Sequence, residues 1–292
     1  MSSSIRRKTL PAEPSLEHLQ KQAKQRVKAA PGLQLAVAQH QLAQEYGHDN
    51  WASLADLVRI MSDPARKEVN ARFQGAQRLA AENQPAQALE EYLWCFDVGM
   101  KRVPSMSGVR VSFLLMYLKR LGKTHPPARQ ALIDRREQAR GVLSVAAATT
   151  AWTDFVSLNW VLDEADESLT HYDRLKFAGQ PLPPPKVLFE NFLKAKRYEE
   201  AALARPFQRW SDDLDHDLKF MRAWPAEEQI VHQRYMVNSA GQVLEALAGS
   251  GDLVHAREIV ERIRSITWTA DVVETMRGHA VRAGHPELIP GA

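Results

Sequence analysis

Beyond residue 64 the apolar side chains of this chain recur every three or four positions almost without interruption, and no run of alternating β-branched residues breaks the pattern. Only helices hide such a repeat on one face, because a strand needs a period of two. The expected fold is therefore all-α, an α-α superhelix of solenoid-like helical hairpins headed by a three-helix module. Proline, glycine and polar turns place helices near residues 65–81, 85–103, 109–121, 127–147, 151–164, 168–177, 187–195, 199–204, 211–221, 226–248, 253–264 and 269–283. The segment Pro181-Leu182-Pro183-Pro184-Pro185 cannot be helical and should run extended. It can be a hinge or a rigid loop; helical patterning resumes at once on both sides, which favours a loop.

The first 62 residues divide further. Residues 1–14, rich in serine with a basic Arg6-Arg7-Lys8 and two prolines, read as a flexible arm. Residues 15–62 read as three short helices. Ser15 caps the first, which packs through Leu16, Leu19, Ala23, Val27 and Ala30 and stops at Pro31-Gly32. The second, about Leu33 to Tyr46, ends at Gly47, and Asp49 or Asn50 starts the third at Trp51. Ser62-Asp63-Pro64 separates this module from a helical array over residues 65–292. The pieces Pro14 to Lys24, Leu42 to Gly47 and Trp51 to Leu54 together resemble an N-terminal helical segment found in bacterial ankyrin-repeat proteins and other helical proteins. The resemblance implies an architecture and no reaction.

Three turns share a pattern. Asn83-Gln84-Pro85-Ala86-Gln87-Ala88, Lys196-Arg197-Tyr198-Glu199-Glu200-Ala201 and Gly251-Asp252-Leu253-Val254-His255-Ala256 each place alanine at the sixth position after a polar or glycine turn. A small residue there lets the second helix of an antiparallel pair approach the first. The pattern resembles the turn of tetratricopeptide-type hairpins, and implies protein or peptide binding through a groove. The unequal spacing makes any repeats degenerate.

Length and composition, 292 residues with 45% hydrophobic and 25% charged, are those of a folded chain. One cysteine, Cys95, lies in apolar surroundings, where a buried structural thiol in a reducing cytoplasm is expected. No signal peptide or membrane span is expected: Pro11, Glu13 and Pro14 follow the basic N-terminus, and the apolar run from Val111 to Leu118 is too short. That run, within a helix from Val109, is apolar around most of its circumference and is expected at the centre of the core, with a membrane or partner-binding role as the alternative.

Net charge is only +3, but residues 65–149 hold 14 basic against 7 acidic side chains while residues 150–220 hold 9 against 13. Such polarity can steer a partner. Lys101, Arg102, Arg110, Lys119, Arg120, Lys123, Arg129, Arg135, Arg136 and Arg140 make the middle strongly basic, so a nucleic-acid interface over 101–140 is the alternative to a peptide groove. No base-reading pair recurs at a repeat interval. A metal-dependent helical enzyme would have to use the acidic clusters Asp163-Glu164-Ala165-Asp166-Glu167 and Asp212-Asp213-Leu214-Asp215-His216-Asp217. Leu218 and Trp224 stand where a calcium loop needs glycine and glutamate, and both clusters suit helix starts. His216 and His232, with Asp215 and Glu228 near, could form a carboxylate–histidine pair. No catalytic, cofactor-binding or metal-binding residue, and no cofactor, is assigned; the chain is expected not to be an enzyme. The candidate partner-binding residues are Arg110, Lys119, Arg120, Lys123, Arg135, Arg136, Trp210 and Trp224, the two tryptophans because they fall near helix ends. Trp152 and Trp160 are expected to pack between helices.

Overall fold

The structure, a computed structural model, describes residues 8–143, 149–221 and 226–289. Among these residues all regular secondary structure is helical, and no helix is long and apolar enough to cross a membrane. The chain divides into two compact units, Met1–Ala128 and Arg129–Ala292. In chain order the helices are α1 (Leu16–Ala29), α2 (Leu35–Glu45), α3 (Trp51–Ser62), α4 (Pro64–Ala81), α5 (Pro85–Trp94), α6 (Ser107–Val111), α7 (Phe113–Gly122) and α8 (Pro126–Leu143). They continue with α9 (Thr149–Val161), α10 (Asp166–Phe177), α11 (Phe189–Lys194), α12 (Tyr198–Ala204), α13 (Phe207–Met221), α14 (Ala226–Gly249), α15 (Leu253–Ile266) and α16 (Ala270–Arg282). Residues 1–7 of the expected arm, 144–147 of the expected fourth array helix, and Trp224 lie outside the described residues.

The head of the first unit follows its caps. Ser15 accepts a hydrogen bond from the His18 amide, and Asn50 accepts one from the Ser53 amide at 2.9 Å, so Asn50 rather than Asp49 starts α3. Each such cap stabilises its helix by about 1 kcal/mol. Leu19, Ala23, Ala38, Leu42, Leu54 and Val58 form a local core, with Tyr46 and Trp51 packed against it. Residues 8–13 are not a free arm. The Lys8 amide bonds the Glu45 carbonyl at 2.8 Å, and the Lys67 ammonium reaches Glu13 at 3.4 Å. Hydrogen bonds from Arg26 and Lys8 hold the Glu45 carboxyl down at about 2. The break at Ser62-Asp63-Pro64 is no linker either: Asp63 ends α3 and caps α4, whose first residue is Pro64. The boundary between compact units falls within α8.

The hairpin turns share one backbone device. Asn83, Lys196 and Gly251 take positive φ (60°, 56° and 92°), and the following amide bonds back to the carbonyl five residues earlier, at 2.8–2.9 Å. This is the Schellman closure. Ala88, Ala201 and Ala256 are each fully buried, and α4 packs on α5, α11 on α12 and α14 on α15. A fourth turn of the same geometry joins α9 to α10: Asp163 has φ 65° and the Glu164 amide bonds the Asn159 carbonyl at 2.8 Å. Its sixth residue is Ser168, also fully buried, which accepts a hydrogen bond from the Asn159 amide group at 3.1 Å. Serine occupies the alanine position there because Asn159 needs a partner in the apolar interior.

Lys196 is exposed and left-handed, a conformation that strains a residue with a Cβ. Lys196→Gly is expected to raise stability by about 0.5–1 kcal/mol, the relief of strain exceeding glycine's greater freedom in the unfolded chain. A urea titration showing no gain would contradict that account of the turn.

In the second unit α14 is central, packed by α11, α12, α13, α15 and α16, and its buried residues point to several sides. Residues 181–184 form an extended connector with Pro183 buried, followed by a 3-10 turn over Pro185–Leu188. In the first unit the expected helix over 85–103 widens into a π turn at Cys95–Gly99, where Cys95 is fully buried and burial pushes its thiol up to about 11. The expected helix over 109–121 breaks at Ser112.

Candidate functional site

The break at Ser112 restarts the chain as α7, whose Leu114, Leu115, Leu118 and Leu121 face the core. Those four satisfy its need for burial, so the remaining apolar side chains are left outside: Phe113 is 64% and Met116 45% exposed. The expectation of a helix enclosed on all sides is thus corrected. Phe113, Met116, Arg120 and Lys123 follow one another at spacings of three, four and three, and so share one stripe on the open side.

Beside that stripe lies a cleft of about 400 Å³, built within the first unit. The end of α4 lines it with Gln77, Ala80 and Ala81, α5 with Tyr92, and α7 and its exit with Tyr117, Arg120, Leu121, Lys123 and Thr124. Small side chains at Ala80 and Ala81 leave the space open. An outer groove of about 500 Å³ shares Tyr117, Arg120 and Lys123 and adds Met116 and Lys119. Tyr92 and Tyr117 stack with centroids 5.9 Å apart, and Phe73 sets its edge against Tyr117 at 5.4 Å. Burial pushes the Tyr92 hydroxyl up to about 12, so at neutral pH it is a hydrogen-bonding group and no base. Among the described residues no carboxylate lines either cavity. The carbonyls of Arg120 and Leu121 at the end of α7 accept from the amides of Lys123, Thr124 and His125.

The structure brings together three of the eight residues proposed from sequence, Lys119, Arg120 and Lys123. Arg110 is a correction: it is buried, its Nε donates to the Phe96 carbonyl at 2.7 Å and its guanidinium lies 4.0 Å from the Phe96 ring. Arg135 donates to the Ala131 carbonyl of its own helix, and Arg136 pairs with Glu137 and Glu164. Trp210 is a second correction, only 2% exposed, covered in part by Arg262. Trp160, expected inside, is 57% exposed, whereas Trp152 is buried against Phe155 and His171. Helix position alone does not tell which side of a helix a neighbour will cover. Phe113, Met116 and Tyr117 are not among the eight residues proposed from sequence, although they belong to the helix whose partner-binding role is the alternative reading and their spacing with Arg120 and Lys123 is visible in the sequence.

The acidic cluster at 212–217 lies inside α13 and not at a helix start. Asp213 pairs with Arg209, Asp215 with Arg262, and Asp217 stands 3.5 Å from His232, while the side chain of Glu228 lies outside the described residues. Among the described residues no group of three or more histidine, cysteine or acidic side chains could hold a metal ion. A separate buried cluster joins Glu245 to His279 at 2.7 Å and to Arg282 at 2.9 Å. The far edge of the His279 ring lies against Gly241 of α14, where an added Cβ would come within 3.0 Å of three ring atoms. That edge has backbone where a substrate would have to enter, so the cluster ties α14 to α16. A second groove of about 490 Å³ in the other unit is lined by Leu203, Phe207, Leu247 and His255, with His255 stacked 4.5 Å from Phe207 and bonded to Asp252.

Compared with protein-family models, with curated proteins and with solved structures, the chain has no match.

Proposed function

We propose that this chain is a non-enzymatic binding protein that holds a protein or peptide segment in the cleft between α4, α5 and α7. The observation that carries this reading is the pairing, along one open stripe of α7, of exposed apolar side chains with cations, beside an aromatic-floored cavity that no carboxylate among the described residues lines. Apolar surface next to a few charges is how interfaces combine affinity with orientation. The four Schellman-closed hairpins support the finer reading of the fold as degenerate, tetratricopeptide-like α-α pairs stacked in superhelical fashion within each unit. The buried lone Cys95 supports a cytoplasmic setting.

Nucleic acid is the weaker reading. A phosphate track needs cations along its length. Arg129 and Arg136 contact Glu164, Arg140 contacts Glu137, and Arg110 is buried, which takes four of the ten cations out of such a track.

Selection of random twelve-residue peptides on phage against the full chain tests the proposal. Enriched peptides are expected to lose at least tenfold in affinity on Tyr117→Ala combined with Met116→Ser, with the circular-dichroism spectrum unchanged. Enriched peptides that bind these variants as tightly as the parent would refute the cleft as the site.

A further inference from the structure

We infer that the occupant of the cleft is an acidic segment with an apolar anchor, a deepening that rests on the peptide-binding reading above. Arg120 and Lys123 stand one turn apart, Lys119 joins them at the rim of the outer groove, and among the described residues the lining of both cavities holds no acidic side chain. Like charges one turn apart repel, and an anionic partner turns that repulsion into attraction. The apolar end of the same stripe, Phe113 and Met116, has no use for a purely ionic ligand. A ligand that fits both ends carries apolar side chains and carboxylates at a set distance.

From Phe113 to Lys123 is ten residues of helical rise, about 15 Å. An extended peptide covers that distance in about four to five residues. The recognised element is therefore short, one or two large apolar side chains separated by three to five residues from two or more carboxylates. Phosphodiester chains lack the anchor and present charge on every residue.

The test uses the full chain and fluorescence anisotropy. The probe is a labelled peptide with a Phe-Leu pair and, three residues on, three glutamates. Controls replace the glutamates by glutamine, replace Phe-Leu by Ser-Ser, or substitute a twenty-nucleotide single-stranded DNA. The acidic, anchored peptide is expected to bind at least tenfold more tightly than any control, and to weaken at 0.5 M salt. Arg120→Glu with Lys123→Glu is expected to remove most of the binding, and Phe113→Ser with Met116→Ser to weaken it at least tenfold; all four positions lie on the open side of α7, and an unchanged thermal melt verifies folding. Equal affinity for the glutamine peptide, or insensitivity to the Phe113 and Met116 changes, would overturn the inference. So would DNA binding that exceeds the peptide and depends on Arg120 and Lys123. If the phage-selected peptides occupy the cleft while the acidic probe gains nothing over its controls, the inference fails and the broader reading stands; if no peptide of either origin binds there, both fail.

Discussion

Replacing His279 and Arg282 together by leucine is expected to lower the free energy of unfolding by about 3–5 kcal/mol, because it strands a buried carboxylate. Glu245 lies inside α14, buried, and its two cationic or hydrogen-bonding neighbours both come from α16. Removing them leaves the charge without a partner in a medium that solvates it poorly. Glu245→Gln is a much milder change, since the amide keeps an acceptor towards Arg282, and a loss within about 1.5 kcal/mol is expected. The triple change to leucine at Glu245, His279 and Arg282 should recover most of the loss, for a well-packed apolar group needs no counter-charge. Urea titrations at pH 7 check the series. A double variant as stable as the parent would mean that water reaches Glu245 and that the contact between α14 and α16 does not depend on the ionic cluster.

Gly241→Ala should destabilise the fold by about 1–3 kcal/mol, the usual effect of forcing extra volume into a packed site. Alanine ordinarily improves a helix interior by about 0.5–1 kcal/mol over glycine, so the expected sign here is reversed by packing. The ring of His279 lies against the Cα of Gly241 and is held there by Glu245 and Arg282, so it cannot swing aside. Gly75, in α4, has open space around it and serves as the control. Gly75→Ala should gain what Gly241→Ala forfeits. Thermal melts of the two variants that shift in the same direction would contradict the close approach of α14 and α16.

Much of the fold was legible from spacing and turn chemistry. Ser15 and Asn50 announce α1 and α3 because a side-chain oxygen is the cheapest acceptor for orphan amides, and the structure uses both. The alanines at 88, 201 and 256 mark tight hairpins for the same sort of local reason, and all three are buried. Ser168 hid a fourth turn: the preceding Asp163 and Glu164 read as part of an acidic cluster, and the serine is needed there only because Asn159 lies across from it. The candidate site was half visible. Lys119, Arg120 and Lys123 stand out by charge, but Phe113 and Met116 look like core, since periodicity groups residues by face without saying which face a neighbour covers. The same ambiguity exchanged Trp160 and Trp210 between surface and interior. Arg110, Arg129 and Arg136 looked available only because their partners, the Phe96 carbonyl and Glu164, lie 14 to 35 positions away in sequence.

Asp63 closes α3 and opens α4 with a single residue, held at φ −60° and ψ 119°. A joint of one residue has two torsions and no spare length, so the head sits directly on the first turn of α4. The eighteen residues of α4 make an arm of about 27 Å, with the head at one end and Gln77 and Ala80, two walls of the cleft, near the other. The backbone from the head to those walls is continuous helix after Asp63, so no loop lies between them that could be lengthened or cut.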